Sequence, residues 1–399
     1  LARRHDMIER LIYDPEVSRE IALYAEHNNV PEAVAFQKAR TYAREIVPSF
    51  SAFAYFSFAM RVAKMLAESV YRIRKGPQND AIFAAIPENA TPVFVMNHRS
   101  NMDYVLVTYL ASKTSTLSYA VGEWARVWPL SALIRLWGAY FIRRTSRGAL
   151  YRKVLSRYVQ MATNGGDTQA FYPEGGLSLT GAVQKPKVGL LSYLVDGFDP
   201  DGARDIVFIP VAINYDRILE DRVLMAAHAR GDRRFGARVS VVVAFVLRKL
   251  WQRLRGRDTR FGTAAVAFGD PVSLRSFGKV ENVDGLSMEL MGRIKAVMPV
   301  LGVPLVATAM RQNPAMNAAQ LQAAVVDILA KIPERSIAVD TGDLSTELQR
   351  ACADMEQHGL LVQHNGIWTI SEGQETAVGF YANSIAHYLL SEGDAATAK

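Results

Sequence analysis

Short apolar runs alternate with longer amphipathic stretches from about residue 90 to residue 302. Apolar runs bounded by turn residues predict buried strands, and apolar residues that recur every three or four positions predict helices. The candidate strands are Val93–Met96, Leu117–Val121, Gln169–Tyr172, Ile206–Val211, Val239–Phe245 and Ala264–Phe268. The candidate helices between them include Leu150–Ala162 and Leu190–Leu194. This alternation predicts an α/β layer structure.

Residues 1–75 are predicted to be helical and belong to an N-terminal segment, 1–80, that precedes a catalytic segment at 81–305. Asp14-Pro15-Glu16 fits a helix start, because proline suits the first helical position. Asn28-Asn29 ends that helix, and Pro31 begins the next. The longest apolar stretch, Ile46–Met60, is too short to span a bilayer. Since basic residues follow it, it fits a helix in a membrane interface as well as a buried core helix.

The remaining residues, 306–399, are predicted to form a small α+β module. Its elements are two amphipathic helices and a hairpin around an Asn-Gly turn: Ala318–Leu329, Thr346–Met355, Leu360–Val362 and Ile367–Ile370. This order is similar to a winged helix, which suggests DNA. The acidic character of the segment opposes that reading, because phosphate contacts need basic residues. We therefore expect a packing or interaction module.

Charge is unevenly distributed along the chain. The whole chain carries +7, but the segment from Asn313 to Lys399 has 4 basic and 11 acidic residues and so carries −7. The first 312 residues therefore carry +14, which predicts an anionic partner such as nucleic acid, a membrane surface or a phosphorylated substrate. The single cysteine excludes an intramolecular disulfide and a Cys-rich metal site. The opening LARRHD lacks an apolar signal region, so we expect a cytoplasmic protein.

The strongest local basic character lies between Arg230 and Arg260, where ten basic residues are opposed only by Asp232 and Asp258. Nucleic acid, anionic lipid, an acidic carrier protein and a merely solvated surface all fit this stretch. Because it contains no recognisable base-reading module, we do not expect nucleic acid as the partner.

A histidine and a carboxylate, His98 and Asp103, lie five residues apart where the strand Val93–Met96 meets the following helix. Ser100 or Asn101 is placed to cap that helix. The spacing allows the Asp103 carboxylate to accept a hydrogen bond from one imidazole nitrogen, which leaves the other nitrogen to take a proton from a hydroxyl group. This is the base and orienting acid of a catalytic triad without its serine. A purely structural His–Asp pair is the alternative.

A glycine turn follows the strand that ends at Tyr172. Pro173-Glu174-Gly175-Gly176 permits a tight turn with exposed backbone N–H groups, and Glu174 is placed to bind a substrate hydroxyl. Lys185 and Lys187 follow and supply positive charge. An ordinary Gly-Gly turn is the alternative.

Two further stretches carry weaker signals. Arg143 and Arg144 end the stretch WGAYFIRR, and guanidinium groups give bidentate bonds to phosphate oxygens. Paired arginines are also common at strand ends. Val207–Tyr215 is predicted to be a buried strand interrupted by Pro210, and a proline inside such a strand requires an edge, a bulge or a strand terminus. Its role is expected to be structural, as part of a pocket wall.

These stretches occur in a fixed order: NHRSNMD at 97–103, GAYFIRR at 138–144, YPEGG at 172–176 with PKVG at 186–189, and FIPV at 208–211. The ordered set resembles the four blocks of the glycerolipid acyltransferase superfamily. It is more similar to the bacterial membrane-type glycerol-3-phosphate acyltransferases than to the shorter lysophosphatidate acyltransferases. VAFGDP at 266–271 and FYANSIAH at 380–387 resemble later motifs of that family. The resemblance implies a mixed, mainly parallel sheet flanked by helices, with an N-terminal helical region and a small C-terminal α+β appendage.

The resemblance also implies a role for each matching residue. His98 is expected to deprotonate the acceptor hydroxyl and Asp103 to orient it. The implied substrate-binding residues are Arg143 or Arg144 and Lys187 for phosphate, Glu174, Gly175, Gly176 and Ser178 for the acceptor site, and Pro210 for the acyl pocket. No metal or cofactor is implied, because the co-substrate is acyl-CoA or an acyl carrier protein.

One block departs from the family pattern. The block usually reads Glu-Gly-Gly-Arg-Ser-x-Thr-Gly, often with a second arginine after the serine, whereas here Leu177 and Leu179 occupy those positions. A leucine cannot bind phosphate. Two acceptors therefore remain candidates: glycerol 3-phosphate and a more hydrophobic molecule such as lysophosphatidate.

The expected activity is transfer of a fatty acyl group to the sn-1 hydroxyl of glycerol 3-phosphate, forming lysophosphatidate for phospholipid synthesis. The expected place is the cytoplasmic face of the cell membrane, where the protein binds peripherally to the anionic surface. The alternatives are sn-2 acylation of 1-acylglycerol 3-phosphate, thioester hydrolysis with the same base, and a basic protein that binds nucleic acid or lipid. The lack of a Gly-x-Ser-x-Gly elbow argues against a serine hydrolase. Cys352 lies outside every block and is a poor nucleophile candidate.

Overall fold

The chain folds around a mixed sheet that has helices on both faces. The computed structural model describes residues 2–48, 60–76, 79–111, 118–122, 140–142, 148–231, 261–278 and 283–390. The α-helices in these ranges are α1 (Ala2–Ile12), α2 (Pro15–Asn28), α3 (Glu32–Ile46), α4 (Met60–Val70), α5 (Asn79–Ala84), α6 (Asp103–Ala111), α7 (Ala149–Asn164), α8 (Gly189–Asp196), α9 (Asp221–Ala229), α10 (Leu274–Phe277), α11 (Val283–Ala296), α12 (Gly302–Gln312), α13 (Ala318–Leu329), α14 (Leu344–Gln357) and α15 (Glu375–Ala382). The strands are β1 (Tyr71–Lys75), β2 (Ala90–Met96), β3 (Ser118–Gly122), β4 (Tyr140–Ile142), β5 (Gln169–Phe171), β6 (Asp205–Tyr215), β7 (Gly262–Phe268), β8 (Val272–Ser273), β9 (Ala315–Asn317), β10 (Leu361–His364) and β11 (Ile367–Ile370).

The main sheet, within the described ranges, has eight strands in the order β1-β7-β6-β2-β5-β3-β4, with β8 beside β6. The pairs β1–β7, β6–β2, β2–β5, β5–β3 and β3–β4 are parallel. Only the pairs that β6 forms with β7 and β8 are antiparallel. The prediction of a mixed, mainly parallel sheet flanked by helices is therefore confirmed.

Alternate residues of the central strand β2 enter two different hydrophobic cores, because successive side chains of a strand point to opposite faces. Val93 and Val95 belong to the core that α1, α2, α3, α7, α8 and α11 cover. Phe94 and Met96 belong to the core that includes α6 and the C-terminal helices α12 to α15. All four side chains are at most 1% exposed, so β2 is buried on both faces.

The sequence predicted most of the regular elements, with shifts at their ends. Asp14 caps α2 by accepting from the N–H groups of Glu16 and Val17, and Asn29 ends that helix in the left-handed conformation. The predicted hairpin is present as β10 and β11, paired antiparallel from Leu361↔Ile370 to His364↔Ile367. β9 pairs with β11 to complete a three-stranded C-terminal sheet.

The prediction that residues 1–75 are helical is wrong at its end. Tyr71–Lys75 forms β1, the edge strand parallel to β7. The segment alternates, since Tyr71 is buried while Arg72 and Arg74 flank the partly buried Ile73. That period of two is typical of a strand. Arg72 and Arg74 are partly buried, and Arg74 donates to the Ala338 carbonyl and to Glu347 of the C-terminal segment.

Pro210 lies in the middle of β6, opposite a bulge between β7 and β8, so of the predicted edge, bulge or terminus the bulge is confirmed: Ile209 and Pro210 face the three residues 269–271. On one side β6 pairs with β2, with Val95 opposite Pro210. On the other side β7 has ended at Phe268 and β8 has not begun, and the Gly269 N–H donates to the Pro210 carbonyl at 2.8 Å. Proline has no backbone N–H to donate. At Pro210 this donor would face the interruption between β7 and β8, so its absence removes no hydrogen bond from the sheet.

Several predictions lie outside the described residues. These are the strand Val239–Phe245, the basic stretch after Gly231, and the interior of Ile46–Met60 from residue 49 to residue 59. Of the helices in the described part of the chain, none is both long enough and apolar enough to cross a membrane. The boundary at residue 305 stays a prediction. It falls within α12, every residue of which is buried from Gly302 to Met310.

Candidate active site

Two sequence blocks meet at one edge of the sheet because β2 and β5 are adjacent parallel strands. Val95 pairs with Phe171, so the residues after both strands emerge side by side. NHRSNMD follows β2, and YPEGG follows β5. Ligands of open α/β sheets commonly bind at the carboxyl ends of such strands. The topology therefore places the polar residues of both blocks in one cluster.

His98 and Asp103 contact each other in the buried loop between β2 and α6. The His98 Nδ1 lies 2.9 Å from the Asp103 Oδ2, which is the contact that their spacing predicts. The same oxygen accepts the backbone N–H groups of Arg99 at 2.7 Å and Ser100 at 3.0 Å. Asp103 is fully buried and His98 is 2% exposed. The carboxylate thus fixes both the imidazole and the loop that carries it.

The His98 ring is held between two tyrosines. Its plane stacks on Tyr172, with ring centroids 4.0 Å apart and an angle of 24°. The edge of Tyr104 meets it at a centroid distance of 5.6 Å. Among the described residues, Nε2 has no hydrogen-bond partner. With Nδ1 occupied by Asp103, Nε2 is the nitrogen available for proton transfer.

Glu174 supports the backbone of the catalytic loop. Its Oε1 accepts the His98 backbone N–H at 2.9 Å, and its Oε2 accepts the Gln184 N–H at 2.8 Å. Burial raises the pKa of Glu174 to about 7, although the two N–H donors and the Arg99 charge lower it. Ser178 binds the same loop, since its backbone N–H donates to the His98 carbonyl at 3.0 Å. Glu174 and Ser178 are therefore both bound directly to the loop that carries His98.

The glycine turn approaches a lysine closely. Gly175 has φ +67°, and a Cβ there would lie 2.9 Å from the Lys187 Cδ. The Lys187 N–H donates to the Pro173 carbonyl at 2.7 Å, and Lys187 is exposed. Gly176 is partly buried in the same turn. Glycine at 175 thus lets the aliphatic stem of Lys187 lie along the turn.

Of the other predicted site residues, Pro210 lies in the described part of the chain and is not part of this hydrogen-bonded cluster. Pro210 lies one strand away, opposite Val95. Arg143 and Arg144 lie outside the described residues. Leu177 and Leu179 are partly buried and pack against the core that contains Phe94 and Met96. Phosphate binding by Arg143 and Arg144 and acyl binding by Pro210 stay predictions.

Sequence reasoning missed two residues that hold the catalytic loop from β6 and the segment after it. The Tyr215 hydroxyl donates to the Asp103 Oδ1 at 2.5 Å. Glu220 accepts from the Ser100 hydroxyl at 2.8 Å and from the Asn101 N–H at 3.1 Å. The predicted buried strand Val207–Tyr215 already contained Tyr215 but gave no sign of its contact with Asp103, and no local signal marked Glu220.

Chemically, the cluster offers a buried imidazole that accepts a proton, with a carboxylate that stabilises the resulting charge. Within the described ranges, no group of three or more His, Cys, Asp or Glu residues is arranged to hold a metal ion. Cys352 is buried on α14. The arrangement thus fits deprotonation of a hydroxyl group better than covalent catalysis by a thiol.

Two family models match the chain. Residues 83–214 match the model described as acyltransferase, and residues 247–398 match the model described as glycerol-3-phosphate acyltransferase C-terminal region. The first match contains β2, β5 and the loop of His98. The second contains α12 to α15.

Curated relatives carry the same description. The glycerol-3-phosphate acyltransferase of Pseudomonas syringae pv. tomato is 29% identical over 293 residues, and that of Pseudomonas fluorescens strain SBW25 is 30% identical over 293 residues. Each alignment covers 73% of this chain and 34% of the relative. The chain thus spans about a third of the length of the curated relatives that it matches.

Among solved structures, the chain is similar to the 1-acyl-sn-glycerophosphate (LPA) acyltransferase of Thermotoga maritima. The TM-score is 0.35 and the sequence identity is 20%, over 60% of this chain and 76% of the other.

Proposed function

We propose that the chain is a glycerolipid acyltransferase that transfers a fatty acyl group from a thioester to the sn-1 hydroxyl of glycerol 3-phosphate. The product is lysophosphatidate, and the donor is acyl-CoA or an acyl carrier protein. The observation that carries the proposal is the buried contact of 2.9 Å between the His98 Nδ1 and the Asp103 Oδ2, which leaves Nε2 for the substrate.

The reaction requires a base but no covalent intermediate. The acceptor oxygen attacks the thioester carbonyl carbon while the His98 Nε2 takes the hydroxyl proton. The C–S bond then breaks, and the thiolate leaves and receives the proton from the imidazolium. Asp103 holds the imidazole in the tautomer that presents an unprotonated Nε2. The thioester is a co-substrate, so the proposed reaction needs no further cofactor.

The acceptor is expected to bind beside the glycine turn. Lys187 places a positive charge next to Gly175, and Arg143 and Arg144 are the further phosphate ligands of the proposal. A second candidate function is sn-2 acylation of lysophosphatidate, which Leu177 and Leu179 favour because they replace the arginines of the family block. Their packing against the hydrophobic core favours the first candidate, since they need no lipid to cover them.

The protein is proposed to act peripherally at the cytoplasmic face of the cell membrane. The net charge of +14 on the first 312 residues supports attraction to an anionic surface. Long-chain acyl products also partition into lipid. Thioester cleavage should therefore be faster with phosphatidylglycerol vesicles than with phosphatidylcholine vesicles, and equal rates would contradict the membrane proposal.

The test follows thiol release from palmitoyl-CoA with glycerol 3-phosphate, with lysophosphatidate and without an acceptor. Preference for glycerol 3-phosphate supports the first candidate, and preference for lysophosphatidate supports the second. Equal release without an acceptor would identify a thioesterase instead.

His98→Ala tests the base. We expect kcat to fall about 10²–10⁴-fold, because general-base catalysis contributes about that factor. The matched control is His27→Ala, since His27 is an exposed histidine on α2 and should keep its rate. A His98→Ala enzyme with near-normal turnover would refute the assignment.

A further inference from the structure

The two oxygens of the Asp103 carboxylate have different partners. Oδ2 accepts from His98, Arg99 and Ser100, which all belong to the loop before α6. Oδ1 accepts from the Tyr215 hydroxyl at 2.5 Å, which comes from β6. The orientation of the carboxylate is therefore set from two separate elements of the fold.

The length of β6 brings Tyr215 to this position. The β2–β6 ladder ends with Met96 opposite Val211, and β6 continues for four more residues. Asn97 extends the contact past the end of β2, since its side-chain amide donates to the Ile213 carbonyl at 2.9 Å and its oxygen accepts the Ile213 N–H at 2.8 Å. Tyr215 thus reaches past the end of β2 to the start of α6.

Packing leaves the Tyr215 ring little freedom. The residue is fully buried, and its ring centroid lies 5.1 Å from that of Tyr71. Tyr71 is fixed in turn, because its own hydroxyl donates to the Arg217 carbonyl at 3.0 Å. Tyr71 and Tyr215 are therefore neighbouring buried tyrosines, of which only Tyr215 touches the carboxylate.

The Tyr215 hydroxyl remains a donor over the working pH range. Burial, followed by the charge of Asp103, raises the pKa of Tyr215 well above its usual value. A carboxylate only accepts hydrogen bonds, so in this contact the Tyr215 hydroxyl donates and the Asp103 Oδ1 accepts. The bond also disperses part of the negative charge that faces His98.

We propose that Tyr215 is a positioning residue of the catalytic pair: its hydroxyl holds the Asp103 carboxylate in the rotation that presents Oδ2 to the His98 Nδ1. The inference rests on the proposed function, in which His98 is the base. Tyr215 does not touch the reacting atoms. It sets the orientation of the imidazole and the basicity of Nε2 through Asp103.

The test compares Tyr215→Phe with Tyr71→Phe, because each removes one buried hydroxyl from the same pair of rings. For Tyr215→Phe we expect kcat to fall about tenfold, the loss of roughly one hydrogen bond in the transition state. The KM for the acceptor should change by less than about twofold, since ground-state binding is not affected. Tyr71→Phe should keep both constants.

The pH profile separates positioning from a structural role. Without the Tyr215 donor, more negative charge on Asp103 stabilises the imidazolium, so the acid limb of kcat/KM should move to higher pH by roughly half to one unit. Other titratable groups in the described part of the chain surround His98 and Asp103, and both variants leave them unchanged. They include Arg99, Tyr104, Tyr172, Glu174, Glu220 and Tyr381. NMR titration of the His98 imidazole should shift in the same direction, and this measurement needs no activity.

A double-mutant cycle with Asp103→Asn tests the route of the effect. If Tyr215 acts through Asp103, then Tyr215→Phe should cost much less in the Asp103→Asn background than in the wild type. Equal losses in both backgrounds, an unchanged acid limb, or equal losses for Tyr71→Phe and Tyr215→Phe would each overturn the inference. Failure of the proposed function is a different result, because the wild type would then lack acyl transfer while the NMR titration still reports on Tyr215.

Discussion

The Glu174 carboxyl group, which is bound to the loop that carries His98, should make stability depend on pH. Burial raises the pKa of Glu174 from about 4.5, its ordinary value, to about 7. Between these values the folded state binds more protons at this site than the unfolded state does. The free energy of unfolding should therefore fall as pH rises from about 4.5 to about 7, by up to about 3 kcal/mol from this group.

Glu174→Gln tests this expectation, because glutamine resembles the protonated carboxyl group. Urea unfolding followed by circular dichroism across that pH range should give a flatter dependence for the variant than for the wild type. Parallel curves would show that Glu174 does not cause the slope. The remaining oxygen can still accept the His98 N–H, whereas the NH2 group that replaces the other oxygen cannot accept the Gln184 N–H.

At the scale of single residues, sequence spacing predicted local contacts and missed distant ones. His98 and Asp103 are five positions apart at a strand–helix corner, so their contact follows from local geometry. Tyr215 and Glu220 lie 112 and 120 positions from the groups they bind. Their roles depend on strand order and register, which no local pattern contains.

At the scale of elements, the loop after the glycine turn should tolerate no side chain at Gly181. Its φ is +84°, and a Cβ there would lie 1.8 Å from the Phe380 carbonyl oxygen of α15. The Gly181 carbonyl also accepts from the buried Arg99. Gly181→Ala should therefore lower the free energy of unfolding by about 2–3 kcal/mol or more, because both the backbone conformation and the contact are incompatible with alanine.

Gly292→Ala is the matched control for Gly181→Ala. Gly292 lies inside α11, and nothing lies within 4 Å of a Cβ built there. Alanine should stabilise this helix by about 0.5–1 kcal/mol. Chemical denaturation should thus move the two midpoints in opposite directions, and a shift of the same sign in both variants would contradict the role of the contact.

Helix bounds could be predicted best where capping residues mark them. α13 spans the predicted range, Ala318–Leu329, because Asn317 and Gln320 form a capping box at its start. β6 ends at Tyr215, as the predicted buried strand Val207–Tyr215 does and four residues past the shorter candidate Ile206–Val211, and its buried pattern passes through a polar residue, Asn214. The Asn214 side chain is satisfied by the Pro299 carbonyl, a partner that the sequence does not reveal.

At the scale of the whole molecule, the C-terminal segment forms one face of the main core rather than a separate body. α12 is buried against α14 and α15, and residues of all three belong to the cluster that contains Phe94 and Met96 of β2. The fold class was predictable because alternating strand and helix patterns restrict the possible layers. The shared core was not predictable, because amphipathic patterns show that a face is buried but not against which element.

A shared core implies that the C-terminal segment and the sheet unfold together. Cys352 provides the test, because it is the single cysteine of the chain, is 1% exposed on α14, and has a pKa that burial raises to about 12. The folded protein should therefore resist thiol reagents. In a urea titration, labelling of Cys352 should begin at the same midpoint as the loss of circular dichroism, with Cys352→Ala as the control for background labelling. Labelling at clearly lower urea would mean that the segment opens alone, and the predicted boundary at residue 305 would then mark a separate folding unit.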